Sequence, residues 1–205
     1  MARQAVYFIF ALTLLLTGSM AVSAAEAPTN LAGITLGEEV GQFKGRVQTT
    51  TARNVDNAPW LRRMAVVPDK FFSSGYVLVG SCAAPGRVAR IKMHYRDDGL
   101  EFYRKINGEM LSRYGDPAEY KGEIDGRIMG NKWAFSDSRL RPISLIVQRL
   151  EGEDPETGGG NTVKLTNWGL LEAERACWQE RHGAKPPKNA PKPGKPGQDN
   201  GYLPR

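Results

Sequence analysis

The stretch Tyr76-Val77-Leu78-Val79-Gly80-Ser81-Cys82, followed by Pro85-Gly86 and then by Arg87-Val88-Ala89-Arg90-Ile91-Lys92-Met93-His94-Tyr95, decides the architecture. Its first half is nearly all apolar, as a strand covered on both faces requires. Pro85-Gly86 is a turn signal. The second half alternates: Ala89, Ile91, Met93 and Tyr95 fall on one face, and Arg90, Lys92, His94 and Arg96 on the other. Two strands joined by so short a connection pair antiparallel, because a parallel crossover needs a dozen residues or more.

Working outward, the C-terminal side opens on the strongest helix signal in the chain. Asp98 and Glu101 have capping-box spacing, and Tyr103, Ile106, Met110 and Tyr114 recur at helical intervals until Gly115-Asp116-Pro117 stops them. After a polar, Gly-rich stretch come three strand candidates, at 132–135, 143–150 and 162–168, with 151–161 as the longest connection. A final helix from about Leu170 to Arg181, with Asn167 or the adjacent Trp168-Gly169 marking its start and Gly183 its end, turns Leu170, Ala173 and Cys177 to the sheet. On the N-terminal side a short helix is expected at 38–43, a strand at 47–51, a turn-rich break at 54–59 and a strand at 60–67. The fold class is therefore α+β: one domain, residues 25–183, with an antiparallel sheet of about six or seven strands packed by two or three helices.

In that order of elements, and in Leu36-Gly37-Glu38-Glu39-Val40 and Tyr114-Gly115-Asp116-Pro117, the chain resembles the helix-plus-antiparallel-sheet modules of bacterial envelope proteins and secreted inhibitors of the β-lactamase inhibitory protein type. The resemblance is architectural. It implies a fold and assigns no site residue.

The two ends read differently from the body. Arg3 precedes the apolar run Val6 to Leu16, and Val22-Ser23-Ala24-Ala25 supplies small residues, which is the order of a secretory signal cleaved after Ala24. The run is too short to span a bilayer, which takes about 20 apolar residues. Ser19 stands where a lipoprotein box needs Cys, so the expected product is exported to a periplasm or secreted, soluble, and not a lipoprotein. Residues 184–205 interleave Lys and Pro with almost nothing apolar and are expected to be a disordered basic tail. The whole chain of 205 residues carries a formal charge of +6. Losing Arg3 leaves +5, and the tail's Lys185, Lys188, Lys192, Lys195 and Arg205 against Asp199 account for +4 of it. A nearly neutral body argues against nucleic acid as a partner.

Cys82 and Cys177 are the two cysteines, and in an exported chain they are expected to form a disulfide tying the last helix to the sheet. The sharper alternative makes Cys82 a nucleophile with His94 or His182 as its base, since the thiolate is the attacking form. No nucleophile signature surrounds Gly80 to Pro85.

Arg90, Lys92, His94 and Arg96 form the most suggestive constellation in the body, a face able to hold a phosphate, a carboxylated glycan or an acidic protein surface. The bland account is the solvated side of a one-sided sheet. Glu151, Glu153, Asp154 and Glu156 precede Gly158-Gly159-Gly160, but the spacing fits neither a calcium loop nor a phosphate loop. No pair of histidines or cysteines has zinc-ligand spacing. No catalytic, cofactor or metal residue is therefore assigned. The leading expectation is a non-enzymatic exported envelope protein binding a protein partner or an anionic polymer or lipid surface through its domain and tail. The alternatives are an exported hydrolase or thiol enzyme with a site assembled only in three dimensions, and a structural or assembly factor of the envelope.

Overall fold

Eight strands, in the spatial order β3-β4-β5-β6-β10-β9-β8-β7, form one wholly antiparallel sheet with a helix against each face in the computed structural model, which describes residues 26–123, 127–137, 139, 141–152 and 159–183. In chain order the elements are β1 (Asn30–Leu31), β2 (Ile34–Thr35), a 3-10 turn (Val40–Phe43), β3 (Val47–Val55), β4 (Ala58–Val66), β5 (Phe72–Gly80) and β6 (Val88–Tyr95). After these come α1 (Leu100–Tyr114), β7 (Glu119–Tyr120), β8 (Ile128–Ser136), β9 (Pro142–Leu150), β10 (Gly160–Asn167) and α2 (Trp168–His182). β1 and β2 pair separately as a small hairpin. The segments expected to be a secretory signal, 1–24, and a basic tail, 184–205 with Lys185, Lys188, Lys192 and Lys195, lie outside the described residues.

The α+β class holds, while the counts of six or seven strands and two or three helices give way to ten strands and two α-helices among the described residues. Two errors are physically instructive. Residues 54–59 are a tight hairpin turn rather than a break: Val55 pairs with Ala58, and Pro59 lies inside β4 where no register pair calls on its missing N–H. The expected helix at 38–43 shrinks to one 3-10 turn. Gly37 N–H donates to Val88 O and Val88 N–H to Glu38 O, and Glu39 bridges Arg87, so residues 37–39 are tied to the start of β6 and helical geometry begins only at Val40.

The sheet has two unequal apolar faces. On the larger, Ile91 and Met93 of β6, Val163 and Leu165 of β10, and Leu145 and Val147 of β9 pack under Tyr103 and Ile106 of α1, with Ile34, Leu36 and Val40 covering the β3–β5 half. Full burial of each such side chain contributes about 1.5–3 kcal/mol, which makes this the main store of stability. Trp133, 2% exposed, joins this core and donates its indole N–H to Gly115 O at 2.9 Å, satisfying a carbonyl just past the end of α1. The start of α1 is not closed by Asp98. Its N-cap is Gly99, without a side-chain cap, and buried Asn161 instead donates to Asp97 O and Gly99 O, both at 2.9 Å.

The smaller core gathers Ala58, Leu61, Leu78, Ala89 and Leu171 under α2. A register shift between β5 and β6 puts Val88 in the large core and Ala89 in the small one, so Ala89 does not share a face with Ile91 as strict alternation expects. Asn167 caps α2 by accepting the Leu170 N–H at 3.0 Å, and Gly183 ends it in the left-handed region.

Candidate functional site

Cys82 and Cys177 are joined by a disulfide that links α2 to the loop after β5. One turn before Cys177, Glu174 points into the same loop. It is 1% exposed, and its carboxylate accepts the backbone N–H groups of Ser81 (2.9 Å), Cys82 (2.6 Å) and Ala84. Three amide donors around one carboxylate satisfy a charge that burial would otherwise penalise heavily. Gly80 makes the approach possible, since a Cβ there would overlap the Glu174 carboxylate. Sequence reasoning missed this residue by assigning Leu170, Ala173 and Cys177 to the inner face. The buried positions are Leu171 and Glu174, and Ala173 is exposed. The available signal was an acid three residues before a half-cystine, hence on its helix face.

The structure places the four residues of the Arg90, Lys92, His94 and Arg96 stripe in different surroundings. Arg90 is buried, donates to Thr166 Oγ1 at 3.1 Å and lies 5.6 Å from the Trp168 ring, so it belongs to the α2 interface. Arg96 follows the end of β6 and donates to Asp69 O at 2.7 Å. Lys92 and His94 remain on the part of this sheet face that lies beyond Leu78 and Ala89 of the small core.

Register brings other strands' cations to that area. Arg53 of β3 stands opposite Arg63 of β4, Tyr76 of β5 opposite Lys92, and Lys92 opposite Lys164 of β10. Further along, Lys164 and Lys132 flank Ile146, and Lys132 pairs with Glu119 at 3.4 Å. With adjacent strands about 4.8 Å apart, these charges line one continuous surface across the sheet. The Arg63 guanidinium lies 4.0 Å from the Tyr76 ring centroid. Thr51, Arg53, Arg63, Ala65, Gly75 and Tyr76 enclose a cleft of about 220 Å³.

Electrostatics within this group follow from its geometry. Burial, then the charges of Lys92 and Arg63, push the His94 pKa down to about 4, so the imidazole is neutral at pH 7. Burial and the neighbouring Arg53 both lower the Arg63 pKa, with Tyr76 opposing them. Register thus gathers Arg53, Arg63, Lys92 and Lys164 from four strands onto this area.

The remaining sequence candidates lie elsewhere. His182 stacks on Trp178 with ring centroids 4.3 Å apart, which in turn approaches Trp60 at 5.9 Å. Glu151 pairs with Arg149 at 3.8 Å, and Glu153, Asp154 and Glu156 lie outside the described residues. Among the described residues no cluster of three or more His, Cys, Asp or Glu is placed to hold a metal ion, and no helix is long and apolar enough to cross a membrane. No family model, curated protein or solved structure matches this chain.

Proposed function

We propose that this chain is an exported, non-enzymatic protein of the cell envelope whose α+β domain binds an anionic polymer across the β3–β10 half of the α2-side sheet face, with residues 184–205 as a cationic tether. The observation that carries the reading is the register itself, which collects Arg53, Arg63, Lys92 and Lys164 from four strands onto one surface. A nearly neutral body gives no reason for such concentration unless the charges share a task. The disulfide and the leader-like first 24 residues support export. For a thiol enzyme the attacking sulfur of Cys82 would first have to be released from Cys177. For a hydrolase, His94 would have to act as a base while its pKa is depressed by burial and then by two cations.

Retention of the full chain on immobilised polygalacturonate, on immobilised polyphosphate and on neutral dextran, measured across a salt series, tests the proposal. Expected are retention on at least one anionic matrix and none on dextran, a steep decline with ionic strength, and a loss of several-fold on deleting 184–205 or on combining Lys92→Gln with Lys164→Gln. Equal behaviour on charged and neutral matrices, or no change in the variants at low salt, overturns it.

A further inference from the structure

The Arg53–Arg63 pair is an arrangement that a folded sheet has reason to avoid. Like charges directly opposite on neighbouring strands are destabilising, yet these two residues are register partners on one face. Among the described residues neither is joined to a carboxylate. The backbone is also adjusted around them. The pairing of β3 with β4 is irregular between Gln48 and Arg53, and Thr51 fills the gap, its Oγ1 donating to Gln48 O at 2.6 Å and accepting the Ala65 N–H at 2.8 Å. Such irregularities re-aim the residues that follow them. Arg63, packed on the Tyr76 ring, has its fork held in place before any ligand arrives.

Resting on the polymer-binding reading and sharpening it, we propose that the cleft between Thr51, Arg53, Arg63 and Tyr76 is a phosphate site, in which the two guanidiniums clamp one phosphate group from two adjacent strands. The three terminal oxygens of a phosphate monoester do not lie in one plane with the phosphorus, so two forks approaching from different strands can each take a pair by sharing one oxygen, whereas the lone pairs of a carboxylate all lie in one plane. The neighbouring phenol of Tyr76 is a further donor, and Lys92, its register partner, adds charge. The cleft, open to solvent and about 220 Å³ in volume, has room for a phosphate group.

The test is a titration of the full chain with inorganic phosphate at low salt, following the Arg Nε–H resonances. Saturable shifts at Arg53 and Arg63 are expected, together with a rise in the His94 titration midpoint as the added anion offsets the Arg63 charge. Arg63→Lys, which keeps the charge and loses the fork, is expected to weaken phosphate binding tenfold or more. Arg53→Gln, at an exposed position that tolerates change, should do the same. Arg62→Lys, on the opposite face of β4, should alter it less than twofold. Competition by glucose 6-phosphate but not by phosphatidylglycerol vesicles assigns the phosphate to a soluble or polymer source, and competition by vesicles assigns it to a lipid headgroup. Unsaturable shifts, equal losses in the Arg62 and Arg63 variants, or galacturonate binding as tightly as phosphate overturn the site. If the site fails while salt-sensitive retention on an anionic matrix persists, only this inference falls. If retention is absent as well, the parent reading falls with it.

Discussion

Glu174 accepts, at 2.6 Å, the backbone N–H of Cys82, the residue whose sulfur is bonded to Cys177 one helical turn further along α2. The loop after β5 is therefore held to the helix twice at the same residue, once by a covalent bond and once by a charge-assisted hydrogen bond. The Ser81 and Ala84 amides converge on the same carboxylate. Their joint effect is to fix α2 on the sheet end where Leu61, Leu78, Ala89 and Leu171 meet, and so to define where the cationic half of that face begins.

Replacing Glu174 with Ala is expected to destabilise the protein by on the order of 3–5 kcal/mol, because three amide donors lose their acceptor and buried donors left unpaired carry a full desolvation cost. Glu174→Gln keeps the volume and one carbonyl oxygen, so a smaller loss of roughly 1–2 kcal/mol is expected. Urea midpoints at pH 7 check both. Equal stability of wild type and the Ala variant would remove Glu174 from its structural role.

The disulfide and the carboxylate should not act additively. Opening a cross-link between residues 95 apart costs on the order of 4–5 kcal/mol in the chain-entropy model. Once it is open, the loop is free to lift into water, where Ser81, Cys82 and Ala84 hydrate instead of remaining orphaned. Combining Cys82→Ser and Cys177→Ser with Glu174→Ala is then expected to cost less than the sum of the separate effects, by about 1–2 kcal/mol. Strict additivity in a full mutant cycle would mean that the two restraints hold different parts of the loop.

Trp133 offers an independent check on how α1 is ended. Phe at this position keeps most of the apolar volume and removes the indole N–H that Gly115 O accepts. A loss of about 1–2 kcal/mol is expected, with hydrogen-exchange protection falling first in the last turn of α1 near Leu111. A loss spread evenly over the sheet would instead point to packing at β8 as the controlling contact.

Much of this fold is legible in the chain because its signals are local. Tyr103, Ile106, Met110 and Tyr114 set one face of α1, Asn167 and Gly183 bracket α2, and the apolar run of β5 marks a strand covered on both sides. What escaped depends on partners distant in sequence. Glu174 is buried because amides 90 to 93 positions away surround it, and no property of the helix sequence announces them. The stripe Arg90 to Arg96 is correctly alternating yet splits, because α2 covers Arg90, and Arg96 follows the end of the strand. Arg53, Arg63 and Lys164 join Lys92 only through strand order, and the order β6-β10-β9 places a strand late in sequence beside one from the middle. Short elements such as β7 carry too few residues for any periodicity to show.

His94 and Asp69 divide the acid response of the protein into two windows. His94 is held to about 4 by burial and then by the charges of Lys92 and Arg63, with the uncharged Thr162 opposite it on the neighbouring strand, while in the unfolded chain it titrates near 6.5. The unfolded state thus takes up this proton first. Stability is complete above pH 6.5 and declines as pH falls from there to about 4. Asp69 acts lower down. The N–H groups of Phe72 and Phe71 and the Arg46 guanidinium hold its pKa below the usual carboxylate value of 3.8, so its contribution is present above that value and is lost as pH drops further. Urea midpoints between pH 7.5 and 2.5 should show both declines. His94→Asn should flatten the upper one and leave the lower intact, and Asp69→Asn should do the reverse while lowering stability at pH 7. If His94→Asn leaves the slope between pH 6.5 and 4 unchanged, the imidazole is not held neutral by burial and its cationic neighbours, and another group sets the upper decline.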